Sequence, residues 1–238
     1  MQTIKMEFSP SNITNYLETR AKTKSAFQIF DTKKTLEQQN CIEKFKITKS
    51  NTYNYCGPNY LPNIKTFLKS LGDNTDDQIH IIYKIIDQTI KTVLYSYKRE
   101  HFWLSIRVTT NNDRYNIPRW HTDGLFFNSN IANQSKFVTV LKGPGTLLKE
   151  STDEIKKMFN KKDDRSVVAE KLQDFPTIQL SNNQSLIFSV GDDNSAIHSE
   201  PRMDNMKEGR FFISILPYKE EDILGKNGFK ERFCDNLI

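Results

Sequence analysis

Three tracts hold residue types from which a metal site with an anion clamp can be made: Arg119-Trp120-His121-Thr122-Asp123-Gly124, then Ala196-Ile197-His198, then Gly209-Arg210-Phe211. Along an extended chain residues i and i+2 share a face, so His121 and Asp123 can aim at one point while Thr122 points away. Antiparallel pairing can bring His198, on a later β-like segment, alongside them. Two imidazoles and one carboxylate on one face of an octahedron suit mononuclear non-haem Fe(II), with the opposite face left open. Arg210 opens the otherwise apolar run Arg210-Phe211-Phe212-Ile213-Ser214-Ile215. A guanidinium there is costly to bury unless an anion meets it, and its fork matches a carboxylate bidentately.

Each of these residues has a plainer reading. A single His-x-Asp pair arises easily by chance, and His121 beside Trp120 can be an ordinary hydrogen-bonded histidine. Context favours the ligand reading. The pair lies between two strand-like runs, His198 precedes another, and a charged residue opens the last apolar strand. His198-Ser199-Glu200 is a second His-x-acid pair, so Glu200 is an alternative carboxylate. Pro201 ends that strand and turns Glu200 away, which favours Asp123. Asp192 and Asp193 fall in a turn and read as solvated; His80 and His101 read as structural. Arg107 shares a strand face with Trp103, Ser105 and Thr109 and is a candidate contact for a co-substrate or substrate. Arg202 sits in a turn-like stretch and ranks below it.

Positioning such a site calls for a sheet. Phe102 to Thr109 alternates, with Leu104, Ile106 and Val108 on one face. Phe137 to Leu141, Thr177 to Leu180, Ser185 to Val190 and Arg210 to Leu216 are further strand-like runs, separated by turn clusters at Asn111 to Asp113, Gly143 to Gly145, Ser181 to Asn183 and Gly191 to Asn194. Upstream, Ile79, Ile82, Ile86, Ile90, Val93, Leu94 and Tyr97 recur at helical steps, which predicts a helix from Asp76 to Tyr97. Thr75-Asp76-Asp77-Gln78 supplies its capping box. A shorter helix is predicted from Pro62 to Leu71. The first sixty residues read as irregular, with short helical pieces at Asn12 to Lys22 and Thr35 to Phe45 and a turn near Tyr55 to Asn59. Ser151 to Leu172 is a charged insert that opens like a helix cap.

Helices followed by many short strands predict an α+β, mainly β fold: a jelly-roll or cupin-like barrel buttressed by N-terminal helices. We expect one structural domain, with residues 1–100 as helical elaboration and supporting helix, 101–220 as the core and 221–238 as a tail. At 238 residues, with sixteen Phe and nine Tyr, the chain can bury a real core, which argues against disorder. No apolar run is long enough to span a bilayer, and the first residues lack a signal-peptide pattern, so an intracellular protein is expected. Cys41, Cys56 and Cys234 are scattered and odd in number, which reads as free thiols in a reducing compartment. The net charge of +5 is compatible with an anionic substrate or nucleic acid, although a solvated basic surface is the commoner cause.

On these residues the chain resembles the Fe(II)/2-oxoglutarate-dependent oxygenase superfamily, whose double-stranded β-helix carries His-x-Asp, a distal His and an Arg about ten residues beyond it. The corresponding positions are His121, Asp123, His198 and Arg210. Lys142-Gly143-Pro144-Gly145-Thr146 is also similar to a bacterial domain family of unknown function, in which Trp/Phe-His-x-Asp, Gly-Pro-Gly-Thr and a final His-x-x-Pro follow in that order. Both resemblances cover about Phe102 to Pro217. They imply Fe(II), 2-oxoglutarate and dioxygen as cofactor and co-substrates, with Arg210 on the far carboxylate of 2-oxoglutarate and hydroxylation or demethylation of a substrate the sequence does not specify. Many members carry Ser two residues after the Arg; here that position is Phe212, and Ser214 lies further along the same face. A metal- or ligand-binding barrel without catalysis is therefore a second expectation. A basic nucleic-acid-binding protein using Trp103, Phe126 and Phe127 is a third.

Overall fold

The computed structural model describes residues 5–23, 25–58, 61–111, 116–127, 134–160, 162–191, 195–204, 206 and 208–223. In chain order its elements are β1 (Met6–Glu7), α1 (Pro10–Thr23), β2 (Phe27–Asp31), α2 (Leu36–Lys44), β3 (Asn51–Pro58), α3 (Ile64–Ser70), α4 (Asp76–Tyr97), β4 (His101–Thr109), β5 (Ser135–Lys142), β6 (Leu147–Lys149), α5 (Asp153–Met158), α6 (Arg165–Leu172), β7 (Thr177–Gln179), β8 (Gln184–Ser189), β9 (His198–Ser199), β10 (Arg210–Tyr218) and α7 (Glu220–Ile223).

The strands form two sheets. The larger runs β1-β2-β8-β5-β10-β4-β3 and the smaller β7-β6-β9. Every pairing is antiparallel except β1 with β2. From β4 onward the chain passes repeatedly between the sheets: β4 and β5 in the large one, β6 and β7 in the small one, then β8 large, β9 small and β10 large. That path is the jelly-roll arrangement expected of a double-stranded β-helix.

Alternation decides what each face of the large sheet meets. Phe102, Leu104, Ile106 and Val108 of β4 and Phe211, Ile213 and Ile215 of β10 join one cluster with the buried faces of α1 to α4. Helix α4 begins at the predicted capping box: Gln78 N–H donates to Thr75 Oγ1 at 3.2 Å and Thr75 N–H to the Gln78 side chain at 2.9 Å. Its stripe of Ile79, Ile82, Ile86, Ile90, Val93 and Leu94 is buried as the spacing requires, each side chain contributing about 1.5–3 kcal/mol. The opposite face of the large sheet presents Val138, Leu186 and Phe188 to Leu148 and Leu180 of the small-sheet region. Helices, large sheet and small sheet thus stack in that order, with the site between the sheets.

Two expectations change, and the insert takes the helical start expected of it. The first sixty residues carry strands β1, β2 and β3 as well as α1 and α2, and β2 and β3 widen the large sheet on either side. Their hydrophobic alternation is short and interrupted by polar residues, so period alone did not expose them. The insert from Ser151 to Leu172 holds α5, capped by Thr152 accepting from Ile155 N–H at 3.3 Å, and α6. Ile155, Val168 and Leu172 pack behind the small sheet on Trp120 and Ile197. Finally, Cys41 is a buried free thiol, but Cys56 is disulfide-bonded, because wide separation in sequence does not keep two cysteines apart in space. The thiol argument for a reducing compartment is lost with it. Among the described residues no helix is long and apolar enough to cross a membrane. The turns expected at Asn111 to Asp113 and Gly191 to Asn194 lie outside the described residues beyond their first residue, as does most of the expected tail.

Candidate metal centre

The His121 backbone and β9 form an isolated antiparallel bridge. His121 N–H donates to His198 O and His198 N–H to His121 O, both at 2.9 Å. The tract before Asp123 therefore acts as one more edge of the small sheet. Alternation turns Trp120 and Ile197 outward into the cluster with α5 and α6, which leaves His121 and His198 facing inward. Their rings lie 4.2 Å apart between centroids. Asp123 is held from behind, its carbonyl accepting from Gly191 N–H at 2.9 Å. Gly191 sits at φ +79°, a conformation glycine adopts without strain, at the end of β8.

Each imidazole is oriented through its other nitrogen. His121 Nδ1 lies 2.7 Å from Arg119 O, and His198 Nδ1 lies 3.0 Å from Ala196 O. A carbonyl only accepts, so Nδ1 carries the proton and Nε2 keeps its lone pair. Both Nε2 atoms lie 3.9 Å from Asp123 Oδ1. The three residues each offer a donor atom within 4.8 Å of the others. Burial, reinforced by the neighbouring imidazole, pushes His198 down to about 4, and burial lowers His121 as well, so both rings are neutral near pH 7. Burial alone would raise Asp123, but Lys136 and the two histidines outweigh it and hold the carboxyl well below its usual range. Two neutral imidazoles with inward lone pairs and one ionised carboxylate are a donor set that fits a divalent transition metal, Fe(II) among them.

Lys136 was not foreseen. Its Nζ donates to Asp123 Oδ2 at 2.9 Å and lies over the rings of Trp103 and Phe126 at 5.4 and 5.2 Å. A lysine opening the apolar run of β5 is the same signal that singled out Arg210, and it would have found Lys136. Glu200 is not a fourth donor. It takes Arg119 bidentately, at 3.2 and 2.6 Å. Burial would raise its carboxyl, yet the Arg119 hydrogen bonds and charge hold it at about 2. Arg119 N–H also donates to Ser199 Oγ at 2.7 Å, so this pair fastens the His121 strand to β9.

The triad opens onto a cavity of about 250 Å³. In the β4–β10 ladder Arg210 faces Thr109, Phe212 faces Arg107 and Ser214 faces Ser105, and all six line that cavity. The register of β10 against β5 slips by one residue beside Phe211 and Phe212, an irregularity that re-aims side chains at the rim. Arg210 is 4% exposed. Its Nε donates to Pro144 O at 2.9 Å, its Nη2 to Thr146 Oγ1 at 3.1 Å, and its guanidinium lies 4.8 Å from the Phe212 ring centroid. The Gly-Pro-Gly-Thr tract is thus the cradle of this arginine. A side chain at Gly145 would meet Leu180 O at 1.8 Å, so the loop can lie this close only with glycine.

The structure brings His121, Asp123 and His198 together and sets Arg210, Arg107 and Ser214 on the same cavity wall. His80 is exposed on α4, His101 packs against Tyr218, and Arg202 pairs with Asp204. Trp103 and Phe127 are buried at 7% and 3%, packed with Leu216 and Tyr218, and Phe126 is half-buried against them, so they form no exposed stacking platform.

No protein-family model matches the chain, and no curated protein matches its sequence. Among solved structures the chain is similar to the dioxygenase for auxin oxidation 1 of Arabidopsis thaliana, determined with 2-oxoglutarate, at 7% identity and a TM-score of 0.45 over 91% of this chain and 92% of that one. It is similar to the rice dioxygenase for auxin oxidation at 6% identity and a TM-score of 0.49, covering 93% and 85%. With a Pseudomonas putida prolyl-4-hydroxylase the identity is 9% and the TM-score 0.40, over 87% and 98%.

Proposed function

We propose that this chain is an Fe(II)- and 2-oxoglutarate-dependent oxygenase, coupling oxidative decarboxylation of 2-oxoglutarate to hydroxylation or demethylation of a second substrate. The observation that carries the proposal is the convergence of His121 Nε2, His198 Nε2 and Asp123 Oδ1 in a cavity that also holds a buried arginine. His121, Asp123 and His198 would hold the metal. Bound there, it would supply dioxygen activation, one oxygen atom entering succinate and the other the substrate.

The remaining chemistry belongs to the chain itself. Arg119 O and Ala196 O fix the tautomers of the two ligand histidines. Lys136 engages one Asp123 oxygen and leaves the other facing the imidazoles. Arg210 offers a fixed guanidinium to the far carboxylate of 2-oxoglutarate, with Pro144 and Thr146 setting its plane. Ser214, on the same strand face, is the hydroxyl available to that carboxylate where Phe212 offers none. Phe188, whose ring lies 4.6 Å from that of His198, and Val138 keep the inner wall dry.

One observation favours a second reading, a binding barrel without catalysis: Phe212 covers the Arg210 guanidinium that a co-substrate would have to reach. Anaerobic titration with Fe(II) and 2-oxoglutarate separates the two. An oxygenase develops the visible band of the ternary chelate and, once air is admitted, forms succinate. A barrel that binds metal alone gives neither.

A further inference from the structure

We propose, resting on the oxygenase reading above, that Arg107 receives a carboxylate or phosphate of the primary substrate, which makes that substrate an anion. Among the described residues four cations line the cavity, Arg107, Arg119, Lys136 and Arg210, against two carboxylates, Asp123 and Glu200. Two positive charges are therefore in excess. A metal dication and a 2-oxoglutarate dianion together leave that excess unchanged, so the loaded site still attracts an anion.

The excess has a specific address. Lys136 is engaged by Asp123 and Arg119 by Glu200. Arg210 is buried, held by Pro144 and Thr146, and committed to the co-substrate. The Arg107 guanidinium makes no hydrogen bond or ion pair to any described residue. It is exposed, whereas Arg210 is 4% exposed, so of the two arginines on this wall Arg107 is the one open to solvent. Phe212 stands directly across the ladder from Arg107 while its ring lies against Arg210, which sets an aromatic surface between the two cations. A solvent-exposed guanidinium on the wall of a small cavity, without a partner among the described residues, can bind a planar or tetrahedral oxyanion through two parallel N–H bonds. Thr109 and Ser105, on the same face of β4, supply neutral hydroxyls beside it.

The test uses the full chain loaded anaerobically with Fe(II) and 2-oxoglutarate, so that Arg210 is already occupied. Phenylacetate, phenyl phosphate and the neutral phenylacetamide serve as probes, with affinity read from the shift of the chelate band and from paramagnetic broadening of the probe protons. The anions bind the wild type and the amide does not. Arg107→Ala weakens the anions about tenfold or more, Arg107→Lys recovers part of the loss, and both variants still form the chelate. Tighter binding of phenylacetate would identify a carboxylate substrate, and of phenyl phosphate a phosphorylated one. Equal anion affinity in wild type and Arg107→Ala, or an amide that binds as well as the anions, overturns the substrate assignment alone. Failure of the wild type to form the chelate overturns the oxygenase reading and this assignment with it.

Discussion

Lys136 and Asp123 share one hydrogen bond of 2.9 Å, through Oδ2, and it leaves Oδ1 at 3.9 Å from the Nε2 of both His121 and His198. The lysine therefore does two opposed things. It balances the aspartate when no cation is present, and it places a positive charge beside the position a cation would take. Lys136→Met removes both effects. The metal-free protein should lose about 1.5–3 kcal/mol, the range for a hydrogen bond to a charged group. The stabilisation gained on adding Mn(II) should grow, since bound metal stabilises in proportion to its affinity for the folded state. Thermal unfolding with and without Mn(II) checks both halves; an unchanged Mn(II) increment means the lysine charge is not felt at the site.

His121→Ala, Asp123→Asn and His198→Ala should each reduce metal affinity by more than the roughly 10- to 100-fold that loss of an outer hydrogen-bond partner costs. Succinate formation should vanish in parallel. Metal content after anaerobic Fe(II) loading and desalting, measured beside turnover, decides the matter. Retention of stoichiometric iron by any of the three removes that residue from the ligand set.

Arg210→Ala should leave iron bound while weakening 2-oxoglutarate by about 3 kcal/mol, the scale of breaking a buried charge pair. Thr146→Val deletes only the hydroxyl that accepts from Arg210 Nη2, and should cost the co-substrate about 1 kcal/mol. The visible chelate band titrated with 2-oxoglutarate reads both. Equal losses in the two variants would mean that Thr146 itself touches the co-substrate.

Gly145→Ala places a methyl 1.8 Å from Leu180 O, where only backbone movement can make room. Overpacking of this kind costs about 1–3 kcal/mol, so the urea midpoint should fall. Because the loop also cradles Arg210, 2-oxoglutarate affinity should drop with it. A variant as stable as the wild type would show that the loop has room to shift.

The candidate site was more legible than the frame around it. Histidine is scarce in this chain, with four in all, the i and i+2 spacing puts His121 and Asp123 on one face, and Arg210 opens an apolar run, so these positions stood out from residue type and period two. Helix α4 was equally plain, because its stripe runs through 22 residues and begins at a capping box. What escaped notice was set by tertiary pairing. Strand β6 spans three residues, too short for any period to register. Strand β3 reads Asn51-Thr52-Tyr53-Asn54-Tyr55-Cys56-Gly57-Pro58, and its polar positions point away from the core while Tyr53 and Tyr55 are buried. Glu200 could be set aside as a ligand from Pro201, but that it pairs with Arg119 depends on a contact between residues 81 apart in sequence.

The bridge between His121 and His198 consists of only two reciprocal backbone hydrogen bonds. Since the imidazoles hang from those same two residues, peeling this edge would part the nitrogens in the same motion. An ion gripped by both would then work as a rivet across the seam. Amide exchange at residues 121 and 198 should slow on metal loading, far more than exchange in the sheltered centre of β5, and so record filling of the site without any turnover being observed.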